Sequence, residues 1–447
     1  MKNTFQQSYN SSQEPAIEGD EMKVGKLLVV FLSVLFLFSN YLDTAKAADV
    51  SIRSETMVRF FERDTSSKTD ALIVPAYQFL EIDWGEPGVN PLTFHANAWG
   101  RVDLTDNDFF EDQADGELLY GYLQYQSVEK GIIARLGRQS VVAGVTNESL
   151  NGLYLKALFS SLIDLSIYGG RPVSLDDTDG RDGDSIYGGR LGLRLAARYN
   201  IGVSYKMIKN DSTDAEEMVG VDFGLSFNKL FITGASSYNL ITEGFAEHSY
   251  EALFGYAKTN FNLFYQLFAF EDYFGTGANN ANPFRIMAQT SEELSTYGLD
   301  ITHNFSESVE GGIKLARNDY DLLGEASNYG ALTAMWHAED LSGIGGEFGV
   351  SRGGENDRND MLLARIYGYK EITGNKLLDQ LSCDLLYAKY GEPIFGEDTS
   401  IFVSLAGSRK IVTDNLRLKV SADYESGPYF DNDFRGMVSL IYLYSNQ

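Results

Sequence analysis

Apolar and polar side chains alternate at every second position through almost the whole sequence after residue 50. In segment 416–425 the even positions are apolar and the odd positions are polar or charged, and segments 187–195 and 219–228 follow the same rule with the parities exchanged. Alternate residues of a β-strand point to opposite faces of a sheet, so each segment predicts a strand with one apolar and one polar face. Repetition of the pattern gives about 22 candidate strands of roughly ten residues each. The chain is therefore predicted to be all-β.

Two all-β architectures fit this alternation, a soluble sandwich and a membrane-spanning barrel. A sandwich usually turns with proline, and this chain has only 8 Pro in 447 residues. The polar parity mixes charged residues with many of the 44 Gly, which suits a wet interior. Because every backbone group in lipid needs an internal partner, strands cross a membrane only as a closed barrel. We predict one large antiparallel transmembrane β-barrel of about 18 to 22 strands, most consistent with about 20 to 22.

Charge and cysteine content exclude other classes of protein. The 36 Lys and Arg against 63 Asp and Glu give a net charge of −27, so there is no basic surface overall for nucleic acid. A disulfide scaffold needs paired cysteines, and Cys383 is alone. Because Cys383 falls on the apolar parity of its segment, we expect it to face lipid.

The first 47 residues have the layout of a secretory signal. The apolar run Leu27–Phe38 follows Lys23 and Lys26 and precedes the small-residue pattern at 45–47. We interpret residues 22–47 as a cleaved signal peptide, residues 1–21 as an extension upstream of the true start at Met22, and residues 48–447 as the barrel. A retained anchor is the alternative, but the run is shorter than the roughly 20 residues a spanning helix needs.

Connections alternate between tight and long, as in outer-membrane barrels. Tight ones are predicted at 197–200, 228–229 and 413–415, and long ones at 103–115, 171–184, 275–292 and 391–398. Short turns would face the periplasm, and long loops would face outward. Aromatic residues near strand ends, including Tyr120, Tyr122 and Tyr125, suggest interfacial girdles.

The last strand, Met437–Tyr444, has Val438, Leu440, Tyr442 and Tyr444 on one parity. Here the chain resembles Gram-negative outer-membrane proteins, whose aromatic-rich final strand is read by the insertion machinery. That family usually ends in Phe, whereas residues 445–447 follow the aromatic positions here. The resemblance implies location in the cell outer membrane, with outer-membrane lipid and the insertion machinery as partners.

The segment Arg135–Gln139 reads Arg-Leu-Gly-Arg-Gln. It resembles the Leu-Gly-Arg-Gln strand end found in several families of large outer-membrane channel proteins. Arg135 and Gln139 share a parity with Gly137, so the resemblance and the pattern together suggest a guanidinium that projects into the pore. Pairing of Arg135 with a neighbouring acid, which would only join strands, is an equally weighted alternative.

Twelve residues are candidates to line the pore. Arg190, Arg194 and Arg198 recur on one parity, and facing acids would create a transverse field that orients solutes. Salt bridging without selectivity is the alternative, and the ion preference is left open. The full set of candidates is Arg135, Gln139, Arg190, Arg194, Arg198, Asp222, Asp300, Glu347, Asp384, Arg417, Lys419 and Asp423.

Acidic run 176–184 is a weak candidate for calcium, since clustered carboxylates supply hard oxygen ligands. The alternative is a solvated acidic loop, because the spacing does not match a helix-flanked calcium loop; the candidate ligands are Asp177, Asp179, Asp182 and Asp184. The four His are isolated, and no nucleophile elbow, phosphate loop or haem motif occurs in the sequence. We therefore expect neither an enzyme nor a resident cofactor.

These patterns predict a porin-like channel for ions or small solutes. The alternative is a barrel sheath of a porin-cytochrome complex, with periplasmic and extracellular multihaem cytochromes as partners that carry electrons across the outer membrane. This second resemblance rests on barrel size and on the lack of haem motifs in the chain, and the sequence does not separate the two functions.

Overall fold

The computed structural model describes residues 49–446, apart from 66–67, 106–108, 128, 130, 174–183, 197, 211–212, 275–291, 323, 341, 354–359, 373, 375–376 and 412–414. The predicted extension at 1–21 and signal peptide at 22–47 lie outside the described residues. So do three of the four calcium candidates, Asp177, Asp179 and Asp182.

Strands account for nearly all of the described chain, and the one described helix is a single short turn, α1, at Phe270–Phe274. In chain order the strands are β1 Val50–Arg63, β2 Ala71–Ile73, β3 Pro75–Trp84, β4 Leu92–Asp103, β5 Ala114–Ser127, β6 Ile132–Ala143, β7 Thr146–Leu158, β8 Ile163–Pro172, β9 Ser185–Leu195, β10 Tyr199–Asn210, β11 Thr213–Phe227, β12 Leu230–Asn239, β13 Gly244–Tyr256, β14 Thr259–Ala269, β15 Glu293–Asn304, β16 Val309–Tyr320, β17 Glu325–His337, β18 Gly343–Arg352, β19 Met361–Glu371, β20 Gln380–Ile394, β21 Glu397–Lys410, β22 Leu416–Gly427 and β23 Phe430–Ser445.

The strands form one closed antiparallel barrel. Each strand pairs with its neighbours in sequence, and β1 closes the ring because it pairs with β23 along one edge and with β3 along the other. The short strand β2 pairs with the end of β1 and continues the line of β3 beyond Val74, so β2 and β3 together form one barrel strand. The barrel therefore has 22 strands, which confirms the predicted all-β fold class and the upper end of the predicted strand count.

Apolar side chains cover the outside of the barrel. The outward parity carries large exposed residues on strand after strand, for example Leu136, Leu332 and Ile366. In water such a surface would be costly, at roughly 25 cal/mol for each Å² of apolar area. The inward parity instead carries ion pairs that join strands which are not neighbours, such as Lys206 of β10 with Glu148 of β7. A closed barrel with an apolar exterior and a charged interior is a multi-pass outer-membrane β-barrel.

Within the described residues, no helix is both long and apolar enough to cross a membrane.

Long connections gather at one end of the barrel. The end that holds Val50 and Ser445, called the near end here, carries the connection between β9 and β10 and the turn at 228–229, where Asn228 adopts a left-handed conformation with φ of 56°. The opposite, far end carries the connections that follow β4, β8, β14 and β18.

The prediction of a long loop at 391–398 is wrong. Strand β20 runs on to Ile394 and β21 begins at Glu397, so segment 391–398 is a tight turn at 395–396.

Candidate functional site

The β6–β7 hairpin leaves the barrel wall near its middle. Pairing between β5 and β6 ends at Gly121 and Arg138, and pairing between β7 and β8 ends at Leu150 and Pro172. Between those points β6 and β7 pair only with each other. Residues 139–149, called the inward hairpin here, therefore project away from the wall.

Glycines permit the bend. Gly137 of β6 pairs with Gly152 of β7 and has φ of 133°, a conformation that residues with a Cβ rarely adopt. A Cβ on Gly137 would overlap the carbonyl oxygen of Gly121, and a Cβ on Gly152 would overlap that of Gly169. Backbones of neighbouring strands therefore approach more closely at this level than any other residue type would allow.

The inward hairpin packs onto the inner faces of β8, β9 and β10. Its residues Val141 and Ala143 and the adjoining Leu150 form a buried apolar cluster with wall residues that also face inward. If the hairpin were released from the wall, these apolar side chains would be exposed to water in the charged interior. Their burial therefore stabilises the hairpin in its position against the wall. The wall residues of the cluster are Tyr168, Ile186 and Ile208.

Hydrogen bonds and small residues fix the tip of the hairpin. The backbone N–H of Val145 donates to Ser204 Oγ on β10 at 3.0 Å. The Val145 side chain occupies the space above Gly220 of β11, where a Cβ would overlap it. The hydroxyls of Thr146 and Tyr168 are also hydrogen-bonded. The tip thus lies over β10 and β11, several strands away from the position of β6 and β7 in the wall.

A buried lysine ties the hairpin to the wall electrostatically. Lys206 Nζ of β10 lies 3.2 Å from Glu148 Oε1 of the hairpin and 2.7 Å from Glu216 Oε2 of β11, with a side chain only 7 % exposed. A buried charge requires such partners, because the loss of one partner of a buried pair costs about 3 to 5 kcal/mol. Glu148 therefore holds the hairpin against the wall and also compensates the buried positive charge of Lys206.

The predicted arginine ladder is only partly present. Arg190 and Arg194 of β9 share the inner face, but Arg198 lies in the turn after β9, so the three do not belong to one strand. Arg190 donates from Nε and Nη2 to the two carboxylate oxygens of Asp222 at 2.8 and 2.6 Å. Arg194 Nε lies 3.0 Å from Asp164, which is 3.4 Å from Arg190. The geometry is that of salt bridging between strands.

Arg135 differs from these arginines because no carboxylate within the described residues pairs with it. Its Nε donates to Gln124 Oε1 at 2.7 Å, and its guanidinium lies 5.4 Å from the ring centre of Tyr122 and 5.6 Å from that of Tyr154. Gln139 is buried at the base of the hairpin and donates to the carbonyl oxygen of Gly152 at 3.2 Å. Arg135 therefore retains a positive charge on the inner wall, whereas Gln139 holds the bend.

The other candidates on the inner face divide into paired and unpaired groups. Glu347 accepts from Lys314 at 2.6 Å, and Asp384 accepts from Arg365 at 2.9 and 2.5 Å. Four make no ion pair with any described residue, namely Asp300, Arg417, Lys419 and Asp423.

Only one of the four calcium candidates, Asp184, lies among the described residues. It is buried and directly precedes β9. No group of three or more potential metal ligands occurs among the described residues.

Two of the three tyrosines assigned above to a girdle, Tyr120 and Tyr122, face inward instead. Tyr120 donates its hydroxyl to Glu81 at 2.8 Å, and the ring of Tyr122 lies 5.1 Å from that of His95. Only Tyr125 shares the outward parity with Leu123. The girdle was predicted from the position of these residues near a strand end. Whether a side chain faces lipid or the interior depends instead on its parity within the strand.

Sequence reasoning missed the inward hairpin. Its signal was an excess of glycine at inward positions of consecutive strands, combined with apolar residues at inward positions of β6 and β7, where a wet interior predicts polar ones. The inward glycines of this region are Gly188, Gly192, Gly202, Gly220 and Gly224.

No protein-family model matches the chain, and no curated protein is similar to it. Among solved structures, an E. coli P pilus tip assembly intermediate, PapC-PapD-PapK-PapG, has a TM-score of 0.53 at 9% identity, covering 88% of this chain and 60% of that one. The siderophore receptor PirA from Pseudomonas aeruginosa has a TM-score of 0.52 at 13% identity, covering 88% and 80%. Pseudomonas aeruginosa OpdO has a TM-score of 0.43 at 10% identity, covering 91% and 100%. Identities this low show only that the chain shares the fold of outer-membrane β-barrels.

Proposed function

We propose that the protein is a porin-like, non-enzymatic channel through which ions or small solutes diffuse across the outer membrane. The observation that carries this proposal is the inward hairpin, which occupies part of the interior of a 22-strand barrel. Strands spaced about 4.8 Å apart and tilted by about 40° would give a circular barrel of that strand number a diameter of roughly 40 Å between backbones. An interior of this width requires either a constriction or a filling.

The hairpin is suited to be a constriction because it is anchored and small. Eleven residues, 139–149, cannot fill such an interior, but they narrow it on the side of β8–β11. The rest of the inner wall carries charges of both signs that favour water over an apolar filling. In the orientation expected for outer-membrane barrels, the near end faces the periplasm and the far end faces the exterior.

Conductance across planar bilayers tests the proposal. Residues 48–447, purified and refolded, are expected to give ohmic single-channel steps. We also propose a variant that lacks the inward hairpin: residues 139–149 are deleted, and a two-residue turn joins Arg138 to Leu150. This variant is expected to give larger conductance steps than the wild type. Silence of both proteins in every lipid tested would contradict the channel. Haem absorbance that co-purifies with the native protein would favour the electron-carrying sheath instead.

A further inference from the structure

A recess of about 50 Å³, open to the barrel interior, lies between the tip of the inward hairpin and the inner wall. Three residues of the recess, Ser204, Ser237 and Glu247, belong to one row of directly paired, inward positions on β10 to β13. The row reads Ser204, Gly220, Ser237 and Glu247. Gly144 and Val145 close the recess from the hairpin side, and Asp222 and Ala235 line it one step toward the near end.

The two carboxylates of the recess differ in their partners. Asp222 is engaged by Arg190 through two hydrogen bonds, so its charge is largely compensated. The Glu247 carboxylate makes no hydrogen bond or ion pair with any described residue, and its backbone is part of the sheet. Lys206, the buried cation of the neighbouring wall, is already held by Glu148 and Glu216. The recess therefore has one uncompensated negative charge.

A second polar group in the recess also lacks a partner. Ser237 is 8 % exposed, and its hydroxyl is buried without a hydrogen-bond partner among the described residues. Buried hydroxyls in folded proteins nearly always have a partner, so a group of this kind beside a cavity is available to a water molecule or a solute that enters the cavity. Ser237 and Glu247 are paired residues of β12 and β13, and both line the recess, so a donor group in the recess lies beside both residues.

We propose that this recess binds the primary ammonium group of a small organic cation in transit through the barrel. The Glu247 carboxylate supplies the opposite charge, and the Ser237 hydroxyl accepts one of the three N–H hydrogens. A metal ion is disfavoured because the described residues provide no set of three acidic, His or Cys ligands. The inference rests on the proposed channel and names a class of solute that the channel recognises.

Current block in planar bilayers tests the site with two probes of equal charge. Butylammonium carries N–H donors, whereas butyltrimethylammonium has none. Butylammonium is expected to block the wild-type current at lower concentration than butyltrimethylammonium. In Glu247→Gln its half-blocking concentration is expected to rise about tenfold or more, because a hydrogen bond to a charged group is lost. Ser237→Ala is expected to cause a smaller rise.

Glu251→Gln is the matched control, since Glu251 lies on the same strand and the same inner face but outside the recess. If the half-blocking concentration of butylammonium rises equally in Glu251→Gln, or if the two probes block equally, the block depends only on the overall negative charge of the inner wall. Either result would overturn the proposed site. Conduction without any block by butylammonium would overturn the site while the channel stands. If the protein does not conduct, the proposed channel function is wrong. Calorimetric titration of butylammonium chloride into the detergent-solubilised protein then tests separately whether the recess binds the ammonium group. Binding that is lost only in Glu247→Gln supports it, and the absence of binding overturns it.

Discussion

Removal of the Lys206 charge is expected to release the inward hairpin. In Lys206→Met the carboxylates of Glu148 and Glu216 remain close together and partly buried without their shared cation. The loss of one partner from a buried ion pair costs about 3 to 5 kcal/mol, and movement of Glu148 into water relieves that cost. At about 1.4 kcal/mol for each tenfold change, even 3 kcal/mol shifts the balance between docked and released hairpin by about 100-fold toward release.

The apolar cluster opposes this shift. Val141 and Leu150 each contribute about 1.5 to 3 kcal/mol when fully buried, and the bond from Val145 to Ser204 adds about 1 kcal/mol. The hairpin is therefore expected to open more often and not to detach permanently. Single-channel records of Lys206→Met should show added noise between two conductance levels.

Thiol labelling measures the same release without reliance on conduction. In a Cys383→Ser background, Ala143→Cys places a thiol at a position that is 4 % exposed, inside the apolar cluster. Its reaction with a charged, water-soluble reagent is expected to be about 100-fold faster when Lys206 is Met, following the shift in docking. Val142→Cys, at a position 74 % exposed on the same hairpin, should react equally fast with either residue at 206.

Neutralisation of all three charges separates electrostatics from loss of lysine packing. Lys206→Met combined with Glu148→Gln and Glu216→Gln removes the uncompensated carboxylates, so labelling of Ala143→Cys should return toward the slow rate. If Lys206→Met leaves both the labelling rate and the current noise at wild-type values, the ion pair does not hold the hairpin, and the reasoning is refuted.

Three further variants test other parts of the structure. Gly152→Ala is expected to destabilise the barrel by about 1 to 3 kcal/mol in urea unfolding, because the added Cβ would overlap a neighbouring carbonyl oxygen. Gly224 has open space around it, so the control Gly224→Ala should unfold like the wild type. Arg135→Gln is expected to shift the reversal potential toward cations, because no carboxylate among the described residues pairs with the arginine; an unchanged potential would show that its charge does not reach the pore. Hydrogen bonds from the Gly353 backbone and Arg352 lower the pKa of Asp360 at the far end, so its contribution to stability is present above the usual carboxyl pKa of about 4 and is lost as pH falls through the lowered value. Unfolding of wild type and Asp360→Asn should therefore differ at neutral pH and converge as the pH falls below the usual carboxyl pKa, and a difference that grows on acidification would contradict this sign.

Local periodicity was sufficient to predict the wall of the barrel. In β22 the residues at 416–425 alternate between lipid and interior as their parity requires, and the same rule holds around the closed ring. The strand count followed because each crossing needs a similar length of chain. The inner-face placement of Arg190, Asp222 and Asp384 needs only parity and was accessible for the same reason.

The hairpin was not accessible, because its position depends on contacts between distant parts of the chain. Gly137 and Gly152 look like ordinary inward glycines until β5 and β8 are placed beside them. The pairing of Lys206 with Glu148 likewise requires the hairpin to cross the faces of β8 and β9. Arg198 was misplaced for a different reason: its spacing of four from Arg194 continues the parity, but β9 ends at Leu195.

In the proposed channel, ion preference is expected to depend on the inner-face charges that have no partner among the described residues. Arg190 with Asp222 and Arg365 with Asp384 form close pairs whose fields cancel within a few ångströms, so they add little to the potential at a distance beyond the Debye length of about 8 Å. The unpaired residues on the inner face are not evenly placed. Arg135, Arg417 and Lys419 lie toward the near end together with Asp300, whereas Glu247 and Asp423 lie toward the far end. A solute would therefore meet opposite charges in sequence along the barrel, and exchange of unpaired cations for neutral residues should alter selectivity far more than exchange of a whole ion pair.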